Sequence, residues 1–340
     1  MYMFKYILKR IGLMVMTFLI IFCMCFVLIK LLPIPINITI GQDRAIIEAQ
    51  LESRGYFDPI PEQFVRYIGR IFKGDFGIGV NMPEYQGKPV IGAFVERLPP
   101  TILINIYSSL FAVPIGIALG IFAALKKNKW QDHFISTAVM VVISVPSFVY
   151  ASLILYTLCF KLGWFPLDMM KLPEVEEMYN DAVHVYIPNT FNWNLYFNKE
   201  MFVSMIPAVF AMSFGSIAGY ARFTRAELTE VLTSEFMLLA RTKGLTKAQA
   251  TTRHALRNAM VPIFPSIVGE FISVLSGSLI IENIFGIPGV GGLYLAAINS
   301  QDYDFFMMLS GFYLLVGLAA GLVIDLSYGV IDPRIRMGAK

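Results

Sequence analysis

The chain has 340 residues, of which 56% are hydrophobic and 15% charged, with a mean hydropathy of +0.64 and a formal net charge of +3. A soluble domain of this length cannot cover that much apolar side chain with its own polar surface, so lipid must be part of the solvent. The small net charge excludes a nucleic-acid footprint, and Cys23, Cys25 and Cys159, all in apolar stretches, read as small apolar fillers rather than a disulfide framework.

Lys5, Lys9 and Arg10 precede an apolar run, 11–32, long enough to cross about 30 Å of hydrocarbon. No small-x-small cleavage site closes it, and Leu32-Pro33-Ile34-Pro35 follows, so the run is predicted to be a retained span rather than a signal peptide. Segment 33–100 is then an extracytoplasmic loop. It carries an amphipathic helical pattern in Phe64, Tyr67, Ile68, Ile71 and Phe72, ended by Gly74, with turn chemistry at Asp58-Pro59 and Asn81-Met82-Pro83. Further spans are predicted at 101–125, 134–160, 203–221, 263–284 and 306–329. Between the third and fourth lies a second outer loop, 162–200, acidic through Glu174, Glu176, Glu177 and Asp181, and holding Trp164 and Trp193. Its aromatics fit an interfacial belt or a docking surface for an extracellular partner.

Basic residues set the orientation. Lys5, Lys9 and Arg10, then Lys126, Lys127 and Lys129, then Arg222, Arg225, Arg241, Lys243, Lys247, Arg253 and Arg257, and finally Arg334, Arg336 and Lys340 fall on one side. The positive-inside rule makes that side cytoplasmic. The reading is an all-α, multi-pass membrane protein, a single transmembrane domain over 1–340 with six spans and both termini cytoplasmic. No inverted internal repeat of the kind found in many secondary transporters is visible.

The loop 222–261 is the most informative stretch. A first short helix is predicted from Ser234 to Lys243, with Glu235 in its first turn where a carboxylate complements the helix dipole. Gly244 stands where a glycine in the left-handed conformation would end it. Thr246 opens a second helix, and Gln249 completes a Thr-x-x-Gln capping box. Leu238, Leu239, Ala240 and Leu245 are expected to form a small apolar knob around the glycine. Physical chemistry alone leaves two readings open: a basic amphipathic segment resting on anionic lipid, or a knob that fits a protein groove.

The run Ser234-Glu235-Phe236-Met237-Leu238-Leu239-Ala240-Arg241-Thr242-Lys243-Gly244-Leu245, followed by Arg253-His254-Ala255-Leu256-Arg257-Asn258-Ala259 and Pro262, resembles the coupling loop of ABC importer permeases. The nearest likeness is the first permease of the dipeptide/oligopeptide family. Arg222-Phe223-Thr224-Arg225, Ile284-Phe285-Gly286-Ile287-Pro288-Gly289-Val290-Gly291, Asp302-Tyr303 and Asp332-Pro333-Arg334-Ile335-Arg336 agree with it. So do Phe57-Asp58-Pro59-Ile60-Pro61-Glu62-Gln63-Phe64, Gly74-Asp75-Phe76-Gly77 and Glu96-Arg97-Leu98-Pro99. The resemblance implies the six-helix type I permease fold in a bacterial inner membrane. It also implies a second homologous permease, two ATPase subunits that bind ATP and magnesium, and an extracytoplasmic peptide-binding protein. Glu235, Ala240, Arg241, Gly244 and Leu245 are the residues it places at the ATPase contact. Three departures stand out: Leu238 where the family has a charged residue, Pro33-Ile34-Pro35-Ile36 in place of a proline-glycine-aspartate-proline turn, and the length of 162–200.

Glu270, Glu282 and Asp325 fall within predicted spans, where a carboxylate is costly and faces a partner or a water-filled path. They are candidates for the translocation path, against the plainer reading of interhelical hydrogen bonds. No nucleophile–base pair, metal-ligand spacing or phosphate-cradling P-loop accompanies His133, His184 and His254, so no catalysis, no cofactor and no nucleic-acid partner is expected of this chain. The functional expectation is the permease subunit of an ATP-driven peptide importer. An ion-gradient-driven secondary transporter, or an ABC permease for nickel or glutathione, is the alternative.

Overall fold

The computed structural model describes residues 2–32, 44–169, 197 and 199–331. Pro33–Ile36, most of the 162–200 loop with its acidic cluster, Trp193 and His184, and the terminal run from Asp332 lie outside the described residues. The helices are α1 Tyr2–Lys30, α2 Arg44–Ser53, α3 Ile60–Ile71, α4 Val90–Leu125, α5 Trp130–Ser144, α6 Ser147–Ile154, α7 Lys199–Leu232, α8 Glu235–Thr242, α9 Lys247–Ala250, α10 Leu256–Ser273, α11 Leu279–Ile284, α12 Val290–Asn299 and α13 Tyr303–Ile331. Among the described residues there is no strand, only the isolated bridges Ile78–Pro89 and Gly79–Gln86.

Among the described residues, four stretches are long and apolar enough to cross a membrane: Tyr6–Lys30, Val90–Leu125, Lys199–Leu232 and Tyr303–Gly329. The pair Trp130–Ser144 and Ser147–Lys161 passes the same test together, bent by 98°. The predicted span 134–160 is therefore not one straight helix. Pro146 cannot donate to the helical ladder and disfavours helical backbone at Val145, which sits at φ −87°, ψ 127°. The predicted stretch 263–284 is likewise divided, into α10 and α11, around Gly277 at φ +63°. Conversely, α4 begins well before its predicted start and ends at the predicted Leu125, and α7 begins and ends beyond its predicted bounds. At 1.5 Å per residue their 36 and 34 residues run about 50 Å, well past a hydrocarbon core of about 30 Å. Hydropathy marks the part of a helix in lipid, not its ends.

The chain forms two compact units. The first comprises 1–101, 275–279 and 288–319. Here α3 lies along α1: Phe26 meets Phe64 edge-on with ring centroids 5.2 Å apart, and Phe22 stacks on Tyr67 at 6.1 Å. A second cluster joins Tyr85, Val90 and Phe94 to Val290, Leu293, Phe305 and Leu309. Buried charge ties the segment after α3 to the start of α13. Oδ2 of Asp302 accepts from the backbone N–H groups of Val80 at 2.6 Å, Asn81 at 2.8 Å and Met82 at 3.3 Å. Asp304 accepts from the Tyr56 hydroxyl and from the N–H of Ile78. Gly77, at φ +107°, lies against the Asp304 carboxylate where a Cβ could not fit. Burial pushes the Asp302 carboxyl above the ordinary aspartate range, opposed by its backbone donors, and pushes the Tyr56 and Tyr67 hydroxyls well up.

The second unit comprises 102–274, 280–287 and 320–340. Its centre is the approach of α4 to α7 through Gly116 and Gly120, a Gly-x-x-x-Gly pair. A Cβ on Gly120 would lie 2.6 Å from the Ala221 carbonyl oxygen, and one on Gly116 2.7 Å from Cβ of Tyr220. In lipid the hydrophobic effect does not drive helices together, so such close backbone contact supplies the attraction instead. Ser108 and Ser213, both buried, hydrogen-bond across the same pair of helices at 3.2 Å.

Candidate functional site

The loop between α7 and α10 folds as a compact element of the second unit. Ser234 is the N-cap of α8 by backbone geometry, but its hydroxyl donates back to the Val231 carbonyl at 2.5 Å. It thus closes the end of α7 instead of capping α8, and Glu235, exposed in the first turn, is left as the charge at the helix start. The far end of α8 is a complete Schellman motif. Gly244, at φ +89°, donates to the Arg241 carbonyl at 3.0 Å, and Leu245 reaches back to the Ala240 carbonyl at 3.4 Å. Thr246 then accepts from the N–H of Gln249 at 3.3 Å, while the Gln249 side chain accepts from the N–H of Thr246 at 3.1 Å. Both halves of the capping box are present. One turn further on, 251–255 widens into a π-helical turn that feeds α10.

Around this backbone the apolar residues part into two sets, and the expected single knob does not form. Ala240 is buried, 8% exposed, in a cluster with Met237, Ala250, Ala255 and Ala259, the α4 end at Ala124, and Leu228 of α7. Leu245 packs on the edge of that cluster. Leu238 and Leu239, by contrast, are 65% and 56% exposed, and Phe236 is 43% exposed. The reason is helical period: positions 237 and 240 lie on one face of α8, 238 and 239 turn away from it, and 236 stands at its edge beside 240. Ala240 therefore belongs to the chain's own packing rather than to an outward surface. Arg241 is exposed on the last turn. The element thus presents an apolar ridge of Leu238 and Leu239 with Phe236 at its edge, alongside Glu235 and Arg241, on a base of alanines that lets three helices approach closely.

A charged clamp in the same unit fixes α5 to α7. The Arg225 guanidinium donates through Nε and Nη2 to the two carboxylate oxygens of Asp132, at 2.5 and 2.8 Å. Asp132 is fully buried and also accepts from the N–H of Asn128, itself at φ +62°. Removing Arg225 would strand the buried Asp132 carboxylate, whereas the guanidinium keeps an exposed flank. Sequence reading places Arg225 among the basic loop residues and in the family-like run Arg222-Phe223-Thr224-Arg225, with no partner named for it. The pairing of two charges 93 positions apart leaves no local mark.

The three carboxylates of the predicted spans lie on α10, α11 and α13. Glu270, half-buried on α10, accepts from the Ser216 hydroxyl at 2.7 Å. One residue before it, Gly269 lies directly against Ile324 of α13. Asp325 is half-buried, and Glu282 on α11 is fully buried. Among the described residues no group of histidine, cysteine or acidic side chains could hold a metal ion.

The sequence model of a family described as "Binding-protein-dependent transport system inner membrane component" matches residues 116–337. Over 342 aligned residues the chain is 30% identical to the "Dipeptide transport system permease protein DppB" of Bacillus subtilis (strain 168), covering 99% of this chain and 100% of that one. It is 31% identical over 337 residues to the protein of the same name from Lactococcus lactis subsp. cremoris (strain MG1363), with 98% and 100% covered. The "Glutathione transport system permease protein GsiC" of Escherichia coli (strain K12) is 29% identical over 337 residues, with 98% and 99% covered.

Proposed function

Because the chain belongs to the family of binding-protein-dependent transport system inner membrane components, we propose that it is a permease subunit through which an ATP-driven importer passes short peptides across a bacterial inner membrane. The observation that carries the mechanism is the exposed ridge Phe236-Leu238-Leu239 on a helix whose other face is packed into the chain. In water such a ridge has a standing drive to be covered. A lipid-resting segment would have no need of the alanine base that makes it rigid.

In this reading the ridge seats in a groove of an ATPase subunit, with Glu235 and Arg241 at its rim. When ATP and magnesium close a pair of such ATPases, the ridge is displaced. The close packing of Ala240, Ala250, Ala255 and Ala259 against Ala124 and Leu228 passes that displacement to α4, α7 and α10 as one body. The Asp132–Arg225 clamp extends the body to α5. A second permease completes the path, a binding protein delivers the substrate, and the spans alternate between inward and outward access. Glu270 and Asp325 are candidates for the path. Glu282, fully buried, supports a structural role unless the assembly opens around it. Both termini and the 233–255 loop are cytoplasmic in this orientation.

Peptide as substrate rests on the full-length likeness to two dipeptide permeases, and the glutathione relative supplies the competing substrate for the test. The complete complex, with its binding protein, is reconstituted in proteoliposomes and given labelled dipeptide, with unlabelled glutathione as competitor. ATP-dependent dipeptide uptake resisted by a non-hydrolysable analogue supports the proposal. Uptake driven by an ion gradient with no ATPase present overturns it, and displacement by glutathione at equal concentration reassigns the substrate.

A further inference from the structure

The helix α3 has a broader apolar arc than its packing on α1 requires. At about 100° per residue, Phe64, Tyr67, Ile68 and Ile71 fall on the side that meets Phe18, Phe22, Phe26 and Ile29 of α1. Val65 and Phe72 lie two turns apart on the flank of that side, and they are 72% and 88% exposed. Glu62 and Arg66 project from the opposite side, with Arg66 paired to Asp58 at 2.8 Å. A helix resting on its neighbour in water would end its apolar arc at the contact. This one continues past it.

The depth of the contact says what lies beyond. Lys30 ends α1, its ammonium 4.2 Å over the Tyr56 ring, and marks the polar boundary of that span. Phe26 and Phe22 lie about 6 and 12 Å further in along the helix. Phe22 also packs on Gly311, eight residues into α13, so the same depth is reached on a second long helix. The rings of Phe64 and Tyr67 sit at those levels, 5.2 and 6.1 Å from Phe26 and Phe22. They are therefore below the polar boundary, at the depth of the acyl chains, although Tyr67 itself is buried within the protein. The side of α1 turned away from α3 is itself exposed and apolar, through Met24 at 59% and Leu28 at 63%, as a helix face in lipid would be.

We infer that α3 is an interfacial helix embedded in the leaflet at the C-terminal end of α1, with Val65 and Phe72 in contact with lipid acyl chains and Glu62 and Arg66 turned to water. The segment 44–90 is then held at a fixed depth by the bilayer as well as by Asp302. The partner of this surface is lipid, not a protein groove.

Spin labels test it in the assembled, reconstituted complex. In a background with Cys23, Cys25 and Cys159 changed to Ala, labels are placed at Val65→Cys and Phe72→Cys, with Met24→Cys as the lipid reference and Glu62→Cys as the water reference. Collision with oxygen should exceed collision with a water-soluble nickel chelate at 65 and 72, as at 24, and the order should reverse at 62. Nickel exceeding oxygen at 65 and 72 would place the flank in water and overturn the inference. Shielding from both would mean a protein partner covers it, and would overturn it equally. Phe72→Trp, quenched by lipids brominated on the acyl chain but not by iodide, checks the same depth without a label.

Discussion

The segment 44–90 and the loop 233–255 both stand outside the long apolar helices, yet one is held by buried charge and the other by alanines. In the first, one carboxylate oxygen of Asp302 gathers three successive backbone N–H groups, and Asp304 takes the Tyr56 hydroxyl and a fourth. In the second, the cluster beneath α8 is built of five alanines with Leu228 and Met237, and the backbone groups at the helix ends are satisfied locally by a Schellman motif and a capping box. Charge fixes a segment in one register, because the alternative leaves buried donors unpaired. Alanine packing fixes an element as a rigid body, while asking little of any one residue. A segment that must hold still and an element that must move as a unit would be expected to differ in this way.

The comparison breaks first at Asp302. Asp302→Ala leaves three buried N–H groups without an acceptor, at roughly 1–3 kcal/mol each before relaxation. We expect a loss of about 3–5 kcal/mol, read as a lowered thermal midpoint of the purified complex and early proteolysis within 76–90. Asp302→Asn keeps an acceptor oxygen and should recover most of it. Equal stability of wild type and the alanine variant would show that the charge is incidental. Next is Ala240→Asp, which places a charge among the alanines under α8 at a cost of several kcal/mol. The element itself should open, with faster tryptic cleavage at Arg241 and Lys243 even when no ATPase is present. Unchanged cleavage in membranes without ATPase would return Ala240 to the outward surface where sequence reading put it.

Gly244→Val tests the local half of the contrast. A Cβ there meets nothing within 4 Å, so the whole penalty is the left-handed backbone at φ +89°, about 1–2 kcal/mol. Coupling of ATP hydrolysis to transport should fall, and Gly244→Asn, which tolerates that conformation better, should fall less. Valine and asparagine behaving alike would mean the turn relaxes to another shape.

The same contrast explains what could be read in advance. The glycine C′ position and the Thr246–Gln249 box are signals within four residues, and both are present in the fold as expected. The burial of Ala240 beside exposed Leu239 follows from helical period but was hidden by treating four apolar residues as one patch. The division at Pro146 was signalled by the proline itself and was overridden by a continuous apolar run. The Gly-x-x-x-Gly spacing of Gly116 and Gly120 is absent from the sequence reading above, and nothing in it tells which helix the pair meets. Asp302 with 80–82, Tyr56 with Asp304 and Asp132 with Arg225 join positions about 90 to 250 apart in the chain, and no periodicity or cap announces such a pair.

The smallest structural effect is expected where the functional one is decisive. Leu238 and Leu239 are exposed, contribute nothing to the cluster beneath α8, and sit on a helix whose ends are closed by other residues. Leu238→Ser with Leu239→Ser should therefore leave stability within about 0.5 kcal/mol of wild type, with unchanged trypsin resistance of the loop. If the ridge is the ATPase contact, removing two side chains of this size from a covered groove should weaken the association severely, since leucine-to-serine forfeits apolar burial of about 1.5–3 kcal/mol per residue. Recovery of the ATPase on purification, and substrate-stimulated hydrolysis in proteoliposomes, should both drop while insertion in the membrane is normal. Phe236→Ser should act in the same direction. Full ATPase recovery in the double variant would leave the alanine base intact with nothing to move it, and the ridge would have to be reassigned to lipid.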